Sequence, residues 1–493
     1  MAKSYRQIFK ATSIFGGVQV FSILINIIRY KFVAVLLGPI GLGIVTLLNE
    51  TINLIRAVTG FGLSTSAVKN VAAAYSGGDQ QRIGEVVTIF RKWVWITGLF
   101  GFVATLVLSP WLSEMVFGNS AYTFSFALIA ITLLLGDISA GQGVILQGTR
   151  KIRYLAQSGL IGSVLGLFTS IPLYYFFGND GIVPAIIATS ISGLVLTWYF
   201  ARKVNIQKIA VNREKIISEG KGMLTLGFML SLSGMITLGA SYLVRIFISN
   251  KAGLAEVGLY SAGFAVINSY GGLVFTAMAT DYYPRLAGVA HDNRMAGKEI
   301  NQQAEIAILI LSPILCVFLV YIDWAIILLY SPKFIAVKNM IHWAALGIYF
   351  KAASWAVAFL LLAKGDSKAF FWNELLANCY LLVFNLLGYY YWGLTGLGFS
   401  FMATYILYSF QIIVVSGRLY GFRYQPDFIR LFCIQFSLGL GCFLVVKLTT
   451  GLQTYLIGSL FIIASSVYSL FELDRRLGLR SVFTDLKSRV KKK

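Results

Sequence analysis

Long apolar runs dominate this chain. Between polar breaks, stretch after stretch reaches the roughly 20 apolar residues that a helix needs to cross a hydrocarbon core. Backbone amides in hydrocarbon must be satisfied within the segment itself, so such a chain folds as membrane-spanning helices. The runs predict an all-α polytopic membrane protein of about fourteen spans, at 11–36, 40–72, 88–112, 122–147, 154–178, 181–201, 222–249, 255–284, 303–330, 337–363, 369–392, 395–417, 428–449 and 452–472. Charged residues are only 12% of the 493 and mean hydropathy is +0.76, too polar-poor for a water-soluble surface of this size. The cations Lys3, Arg6 and Lys10 look like the start of a signal peptide. The apolar run behind them is too long and has no small-residue cleavage site, so a retained first helix is expected.

The net charge of +21 is spread over short loops and a basic tail, 474–493, which excludes a nucleic-acid surface and suits contact with anionic lipid. With the span-edge residues Lys69, Arg91, Lys92, Lys338 and Arg430 counted with their adjoining loops, the amino terminus, the loops after even-numbered spans and the tail together hold 32 of the 41 Lys and Arg, whereas the opposite side holds three. That asymmetry predicts cytoplasmic amino and carboxyl termini. The four cysteines, Cys316, Cys379, Cys433 and Cys442, lie in apolar stretches without metal spacing and are expected as small core residues.

A faint repeat organises the spans. Arg29 precedes Gly41 by twelve residues where the first span gives way to the second, and Arg245 precedes Gly258 by thirteen where the seventh gives way to the eighth. Six spans separate the copies, as in carriers built from two parallel halves. The expected organisation is an N-lobe at 1–203, a cytoplasmic linker at 204–221, a C-lobe at 222–418, two added helices at 419–473 and the basic tail at 474–493.

Six cations are stranded within the spans: Arg29, Lys31, Arg56, Arg245, Lys351 and Lys447. A cation at the centre of a bilayer helix costs roughly 2.5–3.5 kcal/mol even on lenient insertion scales, so retained ones suggest a use. Guanidinium stays charged and its fork matches phosphate oxygens two at a time. Arg29, Arg56, Arg245 and Lys351 are therefore the candidate lining of a cationic cavity for an anion; the other reading is that each snorkels or pairs with a carboxylate. Lys31 and Lys447 fit the latter better. Among intramembrane acids, Glu50 and Asp137 are candidate counter-ions for Arg29 and Arg56. Glu374, with Asn373 beside it and Asn378 one turn on, could hold a proton or Na⁺, or could neutralise Lys351 or an arginine. His342 stands without metal-ligand company, and no phosphate-cradling loop, nucleophile elbow or catalytic carboxylate pair is present, so neither an enzyme nor a metal site is expected.

The pieces Leu37-Gly38-Pro39-Ile40-Gly41-Leu42-Gly43, Gly60-Phe61-Gly62, Val68-Lys69-Asn70-Val71-Ala72, Val257-Gly258-Leu259-Tyr260, Tyr283-Pro284-Arg285-Leu286 and Ser331-Pro332-Lys333-Phe334 occur in an order that resembles bacterial O-antigen translocases. Those are polysaccharide-transport members of the multidrug/oligosaccharidyl-lipid/polysaccharide exporter superfamily. The stretch Tyr349–Leu376 is similar to translocases of O-antigen and enterobacterial common antigen.

The resemblance implies two pseudo-symmetric six-helix lobes plus two helices, working by alternating access in the bacterial inner membrane. The implied substrate is an undecaprenyl-diphosphate-linked oligosaccharide flipped from the cytoplasmic to the periplasmic leaflet. No cofactor is expected, with coupling to H⁺, Na⁺ or membrane potential left open. Expected partners are membrane lipids and a polysaccharide polymerase or other assembly proteins, around a functional monomer. Lipid II flippases of the superfamily carry cavity arginines in their first, second and seventh helices, which match Arg29, Arg56 and Arg245; cation sites in its eleventh helix match Glu374 and Asn378. The chain departs in having no Asp in its seventh span. A cation-coupled multidrug antiporter of the same superfamily is the alternative.

Overall fold

A computed structural model describes residues 21, 24–207 and 209–477. No strand occurs among the described residues, and the helices follow the apolar runs. Helix α1 covers 24–36. It is followed by α2 (Gly38–Thr59), α3 (Leu63–Ser76), α4 (Gln80–Phe117), α5 (Thr123–Gly148), α6 (Ile152–Phe177), α7 (Ile182–Arg202) and α8 (Arg213–Ala252). Then come α9 (Leu254–Val289), α10 (Asn293–Leu329), α11 (Lys338–Ala363), α12 (Ser367–Tyr420), α13 (Pro426–Leu448) and α14 (Leu452–Leu477).

Ten helical stretches among the described residues are long and apolar enough to cross a membrane. Two of them, Ile152–Arg202 and Ser367–Tyr420, run to 51 and 54 residues. At 1.5 Å per residue each would extend about 75–80 Å, more than twice a hydrocarbon core. Both are broken internally. A 3-10 turn at Gly178–Gly181 separates α6 from α7. In α12, Gly393 sits at φ 56°, ψ −141°, a conformation open to glycine and strained for other residues. Large apolar side chains that would be buried in a soluble protein face outward here, among them Trp95, Phe168, Trp392 and Leu460. Such a surface belongs against lipid.

The helix boundaries differ from the sequence expectation in several places, among them α10, which starts at Asn293 rather than 303. The run 40–72 is two helices: Phe61 (φ 46°) and Gly62 (φ 60°) break it between α2 and α3. Helix α4 starts at Gln80, capped by Asp79, whose carboxylate accepts from the backbone N–H groups of Gln81 and Arg82. Helix α8 starts at Arg213, so the second half of the expected linker is helical. There Arg82 forms a forked pair with Glu219 at 2.9 and 3.0 Å, and Lys215 donates to Glu85 at 2.7 Å, tying α4 to α8.

The chain forms two compact units. The first runs to Ser261 and adds Leu329–Lys333; the second holds Ala262–Leu328 and the chain from Phe334 on. In the first, α5 packs against α4 and α7, α6 against α7, and α8 against α2, α3 and α4. The two repeat motifs of the sequence meet there. A Cβ on Gly43 would collide with the Leu254 carbonyl, and one on Gly258 with the Pro39 carbonyl, so glycine is what lets α2 and the start of α9 touch backbone to backbone. In the second unit, α11 packs against α12 and α13, and α13 against α14. Two cysteines depart from the expectation: Cys316 and Cys442 are buried, but Cys379 and Cys433 are exposed on their helices.

Candidate functional site

Three arginines in the first unit are held in three different ways. Arg56, on α2, donates from Nε to Asp137 Oδ1 at 2.6 Å. Its guanidinium lies across the backbone of Gly136, where a Cβ would stand 2.7 Å from Nη2 and 2.9 Å from Cζ. Helix α5 thus supplies both an acid and a flat place for the fork. The second carboxylate oxygen of Asp137, Oδ2, is buried and bonds to no described residue.

Arg245, on α8, is the most enclosed of the three, with 7% of its surface exposed. Its Nη1 donates to the Ser241 carbonyl one turn back at 2.9 Å, and its Cζ lies 5.4 Å from the centre of the Tyr260 ring. Its nearest acid is Glu50, at 3.8 Å from Nη2, a loose contact rather than a hydrogen bond. Buried Nε has no hydrogen-bond partner among the described residues. Glu50 therefore neighbours Arg245 rather than Arg29. Tyr30 lies within electrostatic reach of Arg29, Glu50, Arg245 and Tyr174, which gathers α1, α2 and α8 around one polar cluster. Glu50 and Arg56 are six residues apart on α2, about 9 Å along its axis.

Arg29, on α1, has no ion pair or hydrogen bond to a described residue. It opens instead on a cavity of about 320 Å³ between α1, α5, α6 and α7. Hydroxyls and glycines line most of that cavity: Ser139 from α5; Ser158, Gly159, Gly162, Ser163 and Gly166 from α6; Thr189, Gly193 and Thr197 from α7. Asn26 adds an amide one turn before Arg29, and Leu155 is the one large apolar side chain in the lining. Three arginines and two acids give these five groups a net charge of +1. The two acids that the sequence offers as counter-ions thus lie beside Arg56 and Arg245.

The second unit holds the other candidates. Lys351, on α11, points its Nζ at three rings: Tyr405 at 5.2 Å, Phe275 at 5.7 Å and Phe401 at 5.8 Å. No carboxylate among the described residues pairs with it. The rings supply a cation–π environment that stands in for an acid. Glu374 pairs with neither Lys351 nor an arginine; it accepts from Tyr408 Oη at 2.9 Å. Asn373 donates to the same Tyr408 oxygen at 3.2 Å, and Gln411 donates to Asn373 Oδ1 at 2.7 Å. Asn378 shares the helix but spends its amide on the Glu374 backbone carbonyl at 2.9 Å, away from the carboxylate. Lys447 donates to Asn339 at 2.6 Å on an exposed surface. Both ring nitrogens of buried His342 are without a partner among the described residues, and no metal-ligating cluster is found among them.

Sequence reasoning singled out the charged residues and passed over the cavity beside Arg29. The signal was present: Ser158, Gly159, Gly162, Ser163 and Gly166 recur at spacings that share one helix face. Small and hydroxyl residues in apolar spans read first as packing surfaces, which hid it.

Comparison with known proteins places the chain. Residues 32–339 match the family described as polysaccharide biosynthesis protein. The chain is 22% identical over 392 residues to the lipid III flippase of Escherichia coli (strain K12), covering 77% of this chain and 90% of that protein. It is 23% identical over 352 residues to a putative O-antigen transporter of Shigella flexneri, covering 70% and 82%. Among solved structures, the lipid II flippase MurJ in an inward closed conformation superposes with a TM-score of 0.72 at 12% identity, over 94% of this chain and 99% of that one. An inward-facing multidrug resistance MATE family transporter superposes at 0.67 with 14% identity, over 87% and 96%. The fold is therefore that of the flippase and multidrug exporter structures, and these relatives are transporters rather than enzymes.

Proposed function

This chain belongs to the polysaccharide biosynthesis protein family, and we propose that it is a flippase for a lipid-linked oligosaccharide, an undecaprenyl diphosphate bearing an O-antigen-type repeat unit. In this reading it moves the headgroup from the cytoplasmic to the outer leaflet by alternating access. Two six-helix lobes and two further helices make fourteen crossings, with both termini cytoplasmic and a functional monomer in the inner membrane.

One observation carries the reading: three guanidinium groups on apolar helices of the first unit, each with donors to spare. An arginine fork offers five N–H donors. Arg56 spends one on Asp137, Arg245 spends one on a local carbonyl, and Arg29 spends none on a described residue. A diphosphate presents the acceptors that such forks match. The names of the lipid III flippase and the O-antigen transporter support the substrate class. In the second unit, Lys351 is a further candidate cation and Glu374 a coupling modifier, its carboxylate and Tyr408 forming a site that a proton or Na⁺ can enter. A drug–cation antiporter would need free acids in its cavity; here Asp137 is engaged by Arg56 and Glu50 lies beside Arg245.

The test is genetic and chemical together. Cells deleted for the chain should accumulate an undecaprenyl-linked repeat unit on the cytoplasmic side. Each charge-assisted contact to phosphate is worth about 1.5–3 kcal/mol, roughly 10- to 150-fold in affinity. Arg29→Ala, Arg56→Ala and Arg245→Ala should therefore each abolish surface polysaccharide, whereas Arg→Lys at the same positions should leave partial export. Normal surface polysaccharide in all three alanine variants would exclude the assignment.

A further inference from the structure

The cavity beside Arg29 differs in chemistry from the two paired arginines, and the difference identifies what enters it. Its hydroxyls are oriented by their own helices. Ser158 donates to the Leu155 carbonyl at 2.9 Å, Ser163 to Gly159 at 2.9 Å, and Thr189 to Ala185 at 2.7 Å. Ser139 and Thr197 bond each other across α5 and α7 at 3.0 Å, and Thr197 also reaches the Gly193 carbonyl at 2.9 Å. Ser158, Ser163, Thr189 and Thr197 commit their protons to backbone carbonyls, and Ser139 commits its own to Thr197, which leaves oxygen lone pairs as the main polar feature these hydroxyls offer. The cavity thus sets five hydroxyl oxygens among glycine surface and Leu155, with Arg29 and Asn26 as its donors.

Three ligand chemistries can be weighed against that lining. A polyprenyl or acyl chain would cover the oxygens without bonding them, which wastes their hydration. A diphosphate is all acceptor, so it matches Arg29 but opposes every serine and threonine. A sugar carries hydroxyls that donate and accept, and it matches both. The volume of about 320 Å³ is at the small end of ligand pockets, suited to part of a headgroup rather than to a long chain.

The glycines point the same way. A Cβ built on Gly159 or Gly193 would meet no atom within 4 Å, so neither glycine is needed for helix packing. Glycine in a helix costs about 1 kcal/mol relative to Ala. Two that nothing crowds, both facing the cavity, keep its floor clear. We infer that this groove in the first unit is a glycan subsite, which holds the sugar portion of the transported lipid while the diphosphate is held by arginines. The inference rests on the flippase reading and extends it from the anion to the carbohydrate.

Gly159→Leu and Gly193→Leu test it, because each adds a side chain to the groove lining at a position where the new Cβ meets no atom within 4 Å, and each improves helix propensity. The full-length protein in lipid nanodiscs is titrated with two probes: bare undecaprenyl diphosphate, and the undecaprenyl-diphosphate saccharide extracted from cells deleted for the chain. In the parent protein the saccharide should bind at least about ten-fold tighter than the bare lipid, one good hydrogen-bonded contact in free-energy terms. In both leucine variants that advantage should shrink to two-fold or less, with bare-lipid affinity and melting temperature unchanged. An undiminished saccharide advantage in both variants, or none in the parent, overturns the glycan subsite and leaves the flippase reading standing. A parent protein that binds neither probe overturns both.

Discussion

Gly136→Ala moves one guanidinium without altering any charge. The added methyl would stand 2.7 Å from Nη2, 2.9 Å from Cζ and 3.0 Å from Nη1 of Arg56. Ordinary contacts begin near 3.5 Å, so the fork must withdraw by about 0.8 Å. It can do so, because it is the far end of a flexible side chain. The withdrawal stretches the 2.6 Å bond to Asp137 to the edge of hydrogen bonding. That bond is 33% exposed on the arginine side and 12% on the acid side. With solvent screening its loss costs about 1 kcal/mol. Replacing glycine by alanine inside α5 returns about the same amount. Stability should therefore hold within a few degrees in a thermal melt of the purified protein. Binding should not: if Arg56 grips a diphosphate, the displaced fork loses at least about 1.4 kcal/mol, ten-fold in Kd for undecaprenyl diphosphate. Unchanged Kd and unchanged export would refute the placement of Arg56. A fall of more than about 10 °C in melting temperature would refute the geometric argument, by making Gly136 a packing residue.

Gly393→Ala is the opposite experiment. A Cβ there meets nothing within 4 Å, so its cost is backbone strain alone, about 1–3 kcal/mol of stability; an unaltered melting temperature would mean that α12 does not need this bend. Asp137→Asn keeps a partner for Arg56 but raises the net charge of the five grouped side chains from +1 to +2. It should tighten binding of undecaprenyl diphosphate several-fold and slow export; weaker binding would make Asp137 a purely structural counter-ion.

The sequence shows where the chain crosses lipid, because twenty apolar residues admit few other folds. It shows less well where a crossing bends. The break at Gly393 falls between the spans read as 369–392 and 395–417, since polar and glycine-rich sequence thins the hydropathy there. The break at Phe61-Gly62 is hidden inside 40–72, since Gly60, Phe61 and Gly62 keep the run apolar. Side-chain partners are a third level. That Asp137 takes Arg56 and Glu50 sits by Arg245 depends on which helix faces touch, and one-dimensional spacing carries no record of that. Lys351 illustrates the limit: its aromatic neighbours Tyr405 and Phe401 come from a helix starting sixteen residues later. They were visible only as part of a general wealth of rings. The cavity next to Arg29 was encoded in residue types too small to attract attention.

The partial pairing of the arginines answers a problem that any cationic membrane site must solve. Three bare guanidiniums at membrane depth would cost about 7–10 kcal/mol, comparable with the entire stability of a typical domain. Full bidentate pairing with acids would remove that cost and also the capacity to bind. The observed contacts fall between. Arg56 is held through one nitrogen and rests on Gly136; Arg245 is steadied by its own helix and a tyrosine ring, with Glu50 at arm's length. Arg29 opens on a cavity lined by uncharged hydroxyls, glycines and an amide rather than on a carboxylate. Under the flippase proposal, each arrangement would steady its arginine through contacts weaker than those a diphosphate offers, so that an arriving anion could displace them. The reverse exchange would then be equally available on release. A site built from tight ion pairs would be stable and idle, whereas one built from free cations would either fail to fold or fail to release.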